Sequence, residues 1–217
     1  MKKQYAVVGL GRFGSSIAST LFEAGNEVLG IDINEERVEQ FKDCVTHAVV
    51  ADSTEEEALK SVGIRDFDTV IVAIGNDIQA SILTVLVLKE LGIKQVIAKA
   101  LSKRHGQVLY KVGADWIVFP ERDMGERVAH HLMSPNVLDF IELAKDYSIE
   151  EIKVPMSMTG KSLKELDLRA KFNLSVIAIN SRGNIHISPP PNQMIEEDDV
   201  LVVIGKNEDL KRFANLQ

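Results

Sequence analysis

The run Gly9-Leu10-Gly11-Arg12-Phe13-Gly14 is the part of this chain best suited to chemistry, and that chemistry is phosphate binding. In such a run the first glycine permits a tight turn. The second lets a phosphate approach the backbone, and the third lets the following helix pack closely on the strand. Free N–H groups at the helix start then hold the anion. An apolar strand, Tyr5 to Val8, precedes the run, and Asp32 follows Gly11 by 21 residues in Gly30-Ile31-Asp32. Asp32 can accept hydrogen bonds from both ribose hydroxyls. Its charge would repel a 2′-phosphate, which disfavours NADP but does not separate NAD(H) from ATP or ADP.

Other polar residues fall where strands should end. Asn34 follows Asp32. Asp52, Ser53 and Thr54 close the third strand, where an adenine edge would rest, and Asn76 and Asp77 close the fourth. Open α/β sheets bind ligands at these carboxyl ends, although each such residue is equally suited to capping the next helix. Lys99, at the end of the fifth strand, could offer a positive charge to a bound nucleotide. A dehydrogenase would need an acid or base beside its nicotinamide, yet the C-terminal lobe holds a single histidine, His186. His47, His105, His130 and His131 lack metal-ligand spacing and fit surface or capping roles.

These residues need a scaffold, and the pattern supplies one. Tyr5 to Val8, Glu27 to Ile31, His47 to Val50, Thr69 to Ile74, Val96 to Ala98 and Trp116 to Phe119 read as strands. Arg12 to Glu23, Glu35 to Lys42, Glu55 to Val62, Ile78 to Leu91 and Lys103 to Val112 read as helices, with Gly25, Gly63, Gly92 and Gly113 at their C-caps. Such alternation implies a Rossmann-like, doubly wound sheet of six parallel strands over residues 1–120. Residues 121–146 read as a helix-turn-helix crossover connector. Its helices are Glu121 to Met133 and Val137 to Ala144, broken at Ser134-Pro135-Asn136. Residues 147–217 read as a small α+β domain, with strands at Glu151 to Val154, Leu174 to Ile179, Ile185 to Ile187 and Val200 to Ile204.

Composition narrows the function. The 217 residues are 45% hydrophobic and 26% charged, the mixture of a folded globular chain. A net charge of -7 argues against nucleic-acid binding, which relies on clustered lysine and arginine. The lone Cys44 allows no internal disulfide, and Met1-Lys2-Lys3-Gln4 runs into the glycine turn without a signal-peptide core, so a reducing cytoplasm is expected. The longest apolar-rich stretch, Ile82 to Leu88, is far short of the ~20 residues that cross a bilayer, so any membrane connection should run through a partner.

Together these features resemble the RCK (regulator of potassium conductance) family, and within it the cytosolic regulatory subunits of Ktr-type bacterial potassium uptake systems. The resemblance rests on Val7-Val8-Gly9-Leu10-Gly11-Arg12-Phe13-Gly14, Val70-Ile71-Val72-Ala73-Ile74-Gly75, Gly113-Ala114-Asp115 and Phe119-Pro120-Glu121-Arg122-Asp123-Met124-Gly125, followed by the small C-terminal lobe. It implies a homodimer assembling into a homo-octameric ring that docks on a membrane-embedded potassium-translocating subunit. ATP or ADP would reshape the ring, without chemical turnover. Gly9, Gly11 and Gly14, with Phe13 in the same turn, would meet the phosphates, Asp32 the ribose, and Arg12 the γ-phosphate bound in a neighbouring subunit. Glu121 and its dimer mate would hold a cation, for which Mg²⁺ or Ca²⁺ suits oxygen ligands beside phosphate. The C-terminal lobe would bind cyclic di-AMP as an inhibitor, with Arg169, Asn173, His186 and Pro189 as candidates. The competing readings are an NAD-dependent oxidoreductase and an NADH-sensing regulator.

Overall fold

A computed structural model describes residues 3–134 and 136–216, and within it the chain divides into two compact units, 1–123 and 124–217. In the first, β1 (Gln4–Val8), α1 (Arg12–Glu23), β2 (Glu27–Asp32), α2 (Glu35–Phe41), β3 (His47–Val50) and α3 (Glu56–Ser61) form one half. The other half is β4 (Thr69–Val72), α4 (Ile78–Glu90), β5 (Gln95–Lys99), α5 (Lys103–Lys111) and β6 (Trp116–Val118). The strands pair in parallel in the order β3-β2-β1-β4-β5-β6. This is the doubly wound arrangement, and the order reverses between β1 and β4, where such sheets bind ligands.

Why these segments became buried strands is visible in β1. Its side chains alternate faces, so Ala6 and Val8 join one core with Val70, Val72, Leu88 and Leu109, while Val7 joins a second with Leu10, Ala18 and Ile71. Each fully buried aliphatic side chain contributes roughly 1.5–3 kcal/mol. Helix ends follow local rules as well. Asn34, Asp77 and Ser102 cap α2, α4 and α5 by accepting backbone N–H bonds, and Gly25, Gly92 and Gly113 follow α1, α4 and α5 in left-handed conformation.

Helix α6 (Pro120–Met133) spans the division and buries none of its described residues. The second connector helix expected at Val137 to Ala144 is instead strand β7 (Val137–Ala144). It pairs antiparallel with β8 (Tyr147–Lys153) across the turn at Lys145-Asp146. An eight-residue apolar stretch fits either period, and pairing with a neighbouring strand decides the outcome. Of the expected break, Ser134 and Asn136 adjoin these elements, while Pro135 lies outside the described residues.

The second unit continues with α7 (Leu163–Leu166), α8 (Leu168–Phe172), β9 (Ser175–Ser181), β10 (Asn184–Ile187), β11 (Val200–Lys206) and α9 (Asn207–Ala214). Its five-stranded sheet has the order β10-β9-β11-β8-β7, over a core that includes Ile152, Leu174, Ile179, Leu201, Leu210 and Phe213. A carboxylate interrupts this apolar interior. Glu150, on β8, is 3% exposed, and His130 on α6, stacked on Phe140, brings its Nε2 only to 3.9 Å. Burial raises the Glu150 carboxyl above its ordinary 4.5, with Lys211 opposing more weakly, and burial lowers the imidazole of His130.

A carboxyl raised in the fold stabilises fully below its ordinary value and loses that contribution as pH rises through the folded value. Glu150→Gln is therefore expected to unfold at the same temperature as the wild type near pH 4.5. Near pH 8 it should unfold at a higher temperature, by the equivalent of about 1–3 kcal/mol. Thermal melts across pH check this; a variant less stable at pH 8 would mean that Glu150 is needed as an anion.

Candidate functional site

Three glycines shape the turn after β1, each for a different reason. Gly9 is left-handed, with φ +94°, and its N–H donates to the Ile31 carbonyl at 2.7 Å. Gly14 lies against the turn itself: a Cβ there would stand 1.9 Å from the Gly9 carbonyl oxygen. Gly11 is the N-cap of α1, has no side chain to bond the helix start, and faces open space. No acidic side chain occupies the first turn of α1. Uncapped N–H groups below open space suit an anion.

The turn is tied to β2 by Asp32, which is 5% exposed. Its Oδ2 accepts the Leu10 N–H at 2.7 Å and its Oδ1 the Asn34 N–H at 2.9 Å. Leu10 packs over Gly30, where a Cβ would come within 3.1 Å of its methyl. The Asn34 side chain is committed as the α2 cap, accepting the Arg37 N–H at 3.0 Å. Arg37 then places its guanidinium Nη1 3.4 Å from Asp32 Oδ2.

Farther along the carboxyl edge, Asp52 accepts the N–H and hydroxyl of Thr54 at 2.9 and 2.7 Å. The Ser53 hydroxyl lies inside, 2.8 Å from that of Thr84, and so turns away from the edge. Asp77 caps α4 through the Ala80 N–H, and Asn76 beside it is exposed.

A second group of charges gathers at the ends of β4 and β5. Lys99 is 7% exposed. Its Nζ lies 5.6 Å from the Phe13 ring centre, 2.5 Å from Glu121 Oε1, and 3.5 Å from where a Gly75 Cβ would stand. The Lys99 ammonium holds the Glu121 carboxyl below its ordinary 4.5, and the Arg12 charge adds a smaller pull the same way. Arg12, Phe13, Lys99 and Glu121 thus meet beside the glycine turn. Among the described residues no group of three or more His, Cys, Asp or Glu side chains could hold a metal, and Glu121 is already bonded to Lys99. One chain alone does not fit a resident divalent ion, which takes six or more oxygens.

In the second unit, Arg169 is exposed on α8 and Asn173 ends that helix in left-handed conformation, with φ +56°. Asn173 also borders a cavity of about 380 Å³ with Tyr147, Gly205, Lys206 and Asp209. His186 lies on the edge strand β10, and half-buried Pro189 follows Ser188, whose φ is +51°. Of the histidines expected at surface or capping positions, His105 is buried, at 4% exposed. Its Nδ1 accepts the Leu101 N–H at 3.3 Å, and burial depresses its imidazole.

Sequence reasoning missed Arg37 and the pairing of Lys99 with Glu121. The spacing Asp32-x-Asn34-x-x-Arg37 carried a usable signal for the first, because a cap at Asn34 puts residue 37 on the first turn of α2, beside the end of β2. The approach of Lys99 to Glu121 depends on tertiary packing and left no local trace.

Residues 5–120 match the TrkA-N domain family and residues 149–217 the TrkA-C domain family. The chain is 48% identical to Ktr system potassium uptake protein C of Bacillus subtilis, over 98% of this chain and 96% of that one. It is 49% identical to Ktr system potassium uptake protein A of the same organism, with the same coverage. Among solved structures, the GsuK channel bound to NAD is similar at 27% identity and a TM-score of 0.55, over 98% of this chain and 38% of that one.

Two outcomes follow from this geometry. Gly14→Ala is expected to cost about 3 kcal/mol or more in urea unfolding, because its Cβ meets backbone. Gly11→Ala should change stability by less than about 1 kcal/mol and instead weaken phosphate-ligand binding. Separately, Glu121 should titrate below 4.5 by NMR and move back towards it in Lys99→Met. The stabilisation from this pair is present above the ordinary value and fades as pH falls through the folded one. It is small, because the carboxylate is 66% exposed.

Proposed function

We infer the role of this chain from one premise: it belongs to the family of TrkA-N and TrkA-C proteins that includes the Ktr-system potassium uptake proteins. It is proposed to be a cytosolic regulatory subunit, not an enzyme. In this reading it gates a membrane-embedded potassium-translocating partner as ATP replaces ADP at the glycine turn. The observation that carries the reading is the uncapped start of α1 at Gly11, with Arg12 as the first helical residue and Asp32 anchored at the ribose end. Phosphates would lie on the Gly9–Gly14 turn, the ribose at Asp32, and the adenine edge near Asp52, with Asn76 and Lys99 flanking the phosphates. An arginine gains charge-assisted, bidentate bonds to a terminal phosphate that ADP lacks, and a conformational switch requires such a difference.

One feature supports assembly with a second copy of the chain. Met124, Val128 and Leu132 recur at i, i+4 and i+8 on α6 and are 57%, 52% and 73% exposed, an apolar stripe that a second copy would cover. The octameric ring rests on the family. A second copy would also supply the other Glu121 carboxylate, so that Mg²⁺ or Ca²⁺ is held only between copies and beside phosphate. Among the described residues no helix is long and apolar enough to cross a membrane. Cyclic di-AMP is proposed as an inhibitory ligand of the second unit through Arg169, Asn173, His186 and Pro189. NAD(H) is the second reading for the glycine turn, favoured by the similar channel whose structure holds NAD.

Calorimetric titration of the purified chain with ATP, ADP and NADH, each with and without Mg²⁺, separates these readings. Tight ATP and ADP binding with weak NADH binding is expected; preferred NADH binding would move the assignment to redox sensing. Arg12→Ala should keep nucleotide binding while the ATP and ADP forms become alike in shape by small-angle scattering. Full ATP activation of transport in that variant would remove Arg12 from the switch.

A further inference from the structure

The ribose end of the glycine-turn site carries two opposite charges. A lone carboxylate at the end of β2 accepts ribose hydroxyls and repels a 2′-phosphate, whereas an arginine there accommodates that phosphate. Asp32 and Arg37 occupy this one edge together, 3.4 Å apart. The carboxylate is 4% exposed and held by the Leu10 and Asn34 N–H groups, so it is fixed in place. The guanidinium is 47% exposed and reaches solvent at the same edge. It carries more donors than its single contact with Asp32 uses.

We propose that Arg37 sets selectivity at the ribose edge, neutralising Asp32 so that the site tolerates a 2′-phosphate that Asp32 alone would reject. This rests on the adenine-nucleotide reading of the glycine turn and revises the expectation, drawn from Asp32 alone, that 2′-phosphorylated nucleotides are disfavoured. Opposite charges this close attract, and salt screens the part of that attraction that reaches solvent. Removing the cation therefore leaves Asp32 facing a phosphate unopposed. The substitution is clean, because the helix cap runs through the Arg37 backbone N–H and not its side chain.

The test compares ADP with adenosine 2′-phosphate 5′-diphosphate, titrated into the full chain and into Arg37→Ala and Arg37→Lys. The wild type is expected to bind the two ligands within about fivefold of each other. Arg37→Ala should widen that ratio by about tenfold or more, through weaker binding of the 2′-phosphorylated ligand, and Arg37→Lys should restore much of it. A merely structural role would weaken both ligands alike and leave the ratio unchanged. An unchanged ratio in Arg37→Ala, or a wild type that already rejects the 2′-phosphate as strongly as that variant, overturns the proposal. A wild type that binds no ADP at all overturns the nucleotide reading instead, so the two failures are distinct.

Discussion

One buried hydrogen bond, from the Leu10 N–H to the Asp32 carboxylate, fixes the candidate site of the first unit. It joins the turn after β1 to the end of β2, and the Gly9 N–H bond to the Ile31 carbonyl reinforces it. With the turn held there, α1 must leave the sheet close to the Gly9 carbonyl, which excludes any side chain at residue 14. Charge-assisted bonds of this kind are stronger than neutral ones, and losing one partner inside the protein leaves a desolvated group without compensation. Asp32 is thus a structural residue first, and any ribose bound at this edge would share the same carboxylate.

The site also shows how charge is arranged ahead of any ligand. Lys99 is nearly buried at the end of β5, a costly place for an ammonium, and its position is tolerable because Glu121 and the Phe13 ring face it. Arg12, Lys99 and Glu121 together leave one positive charge in excess, so an anion arriving at Arg12 would be attracted to the cluster as a whole. Its first electrostatic effect would fall on the Lys99–Glu121 pair.

Much of the first unit was legible because short-range rules agree with the global fold there. Strands alternate with helices, caps stand where polar residues precede apolar runs, and glycines follow helix ends; α1 begins and ends at the residues expected, Arg12 and Glu23. The second unit was harder. Val137 to Ala144 carries apolar residues at helical spacing, yet the sheet claims it through a tight hairpin with residues 147–153, whose Lys145-Asp146 turn lacks the glycine or asparagine that usually marks one. At the site, the residue types of Gly9, Gly11, Gly14 and Asp32 announced themselves by spacing. The inward turn of Ser53 onto Thr84 and the pairing of Lys99 with Glu121 depend on rotamers and on contact between elements, and were not legible.

The order β10-β9-β11-β8-β7 places a strand made late in the chain, residues 200–206, in the middle of the second sheet. On a ribosome the first unit has all six of its strands once residue 118 has emerged, and it can close while synthesis continues. The hairpin of β7 and β8 can form early, but β9 has no partner on its inner side until β11 arrives. During that interval the inner edges of β8 and β9 are both open, and the second unit passes through synthesis as two unjoined halves. Translation speed over residues 154–199 therefore sets how long a nascent chain carries unpaired strand edges, the surface most prone to wrong pairing with a neighbouring nascent chain.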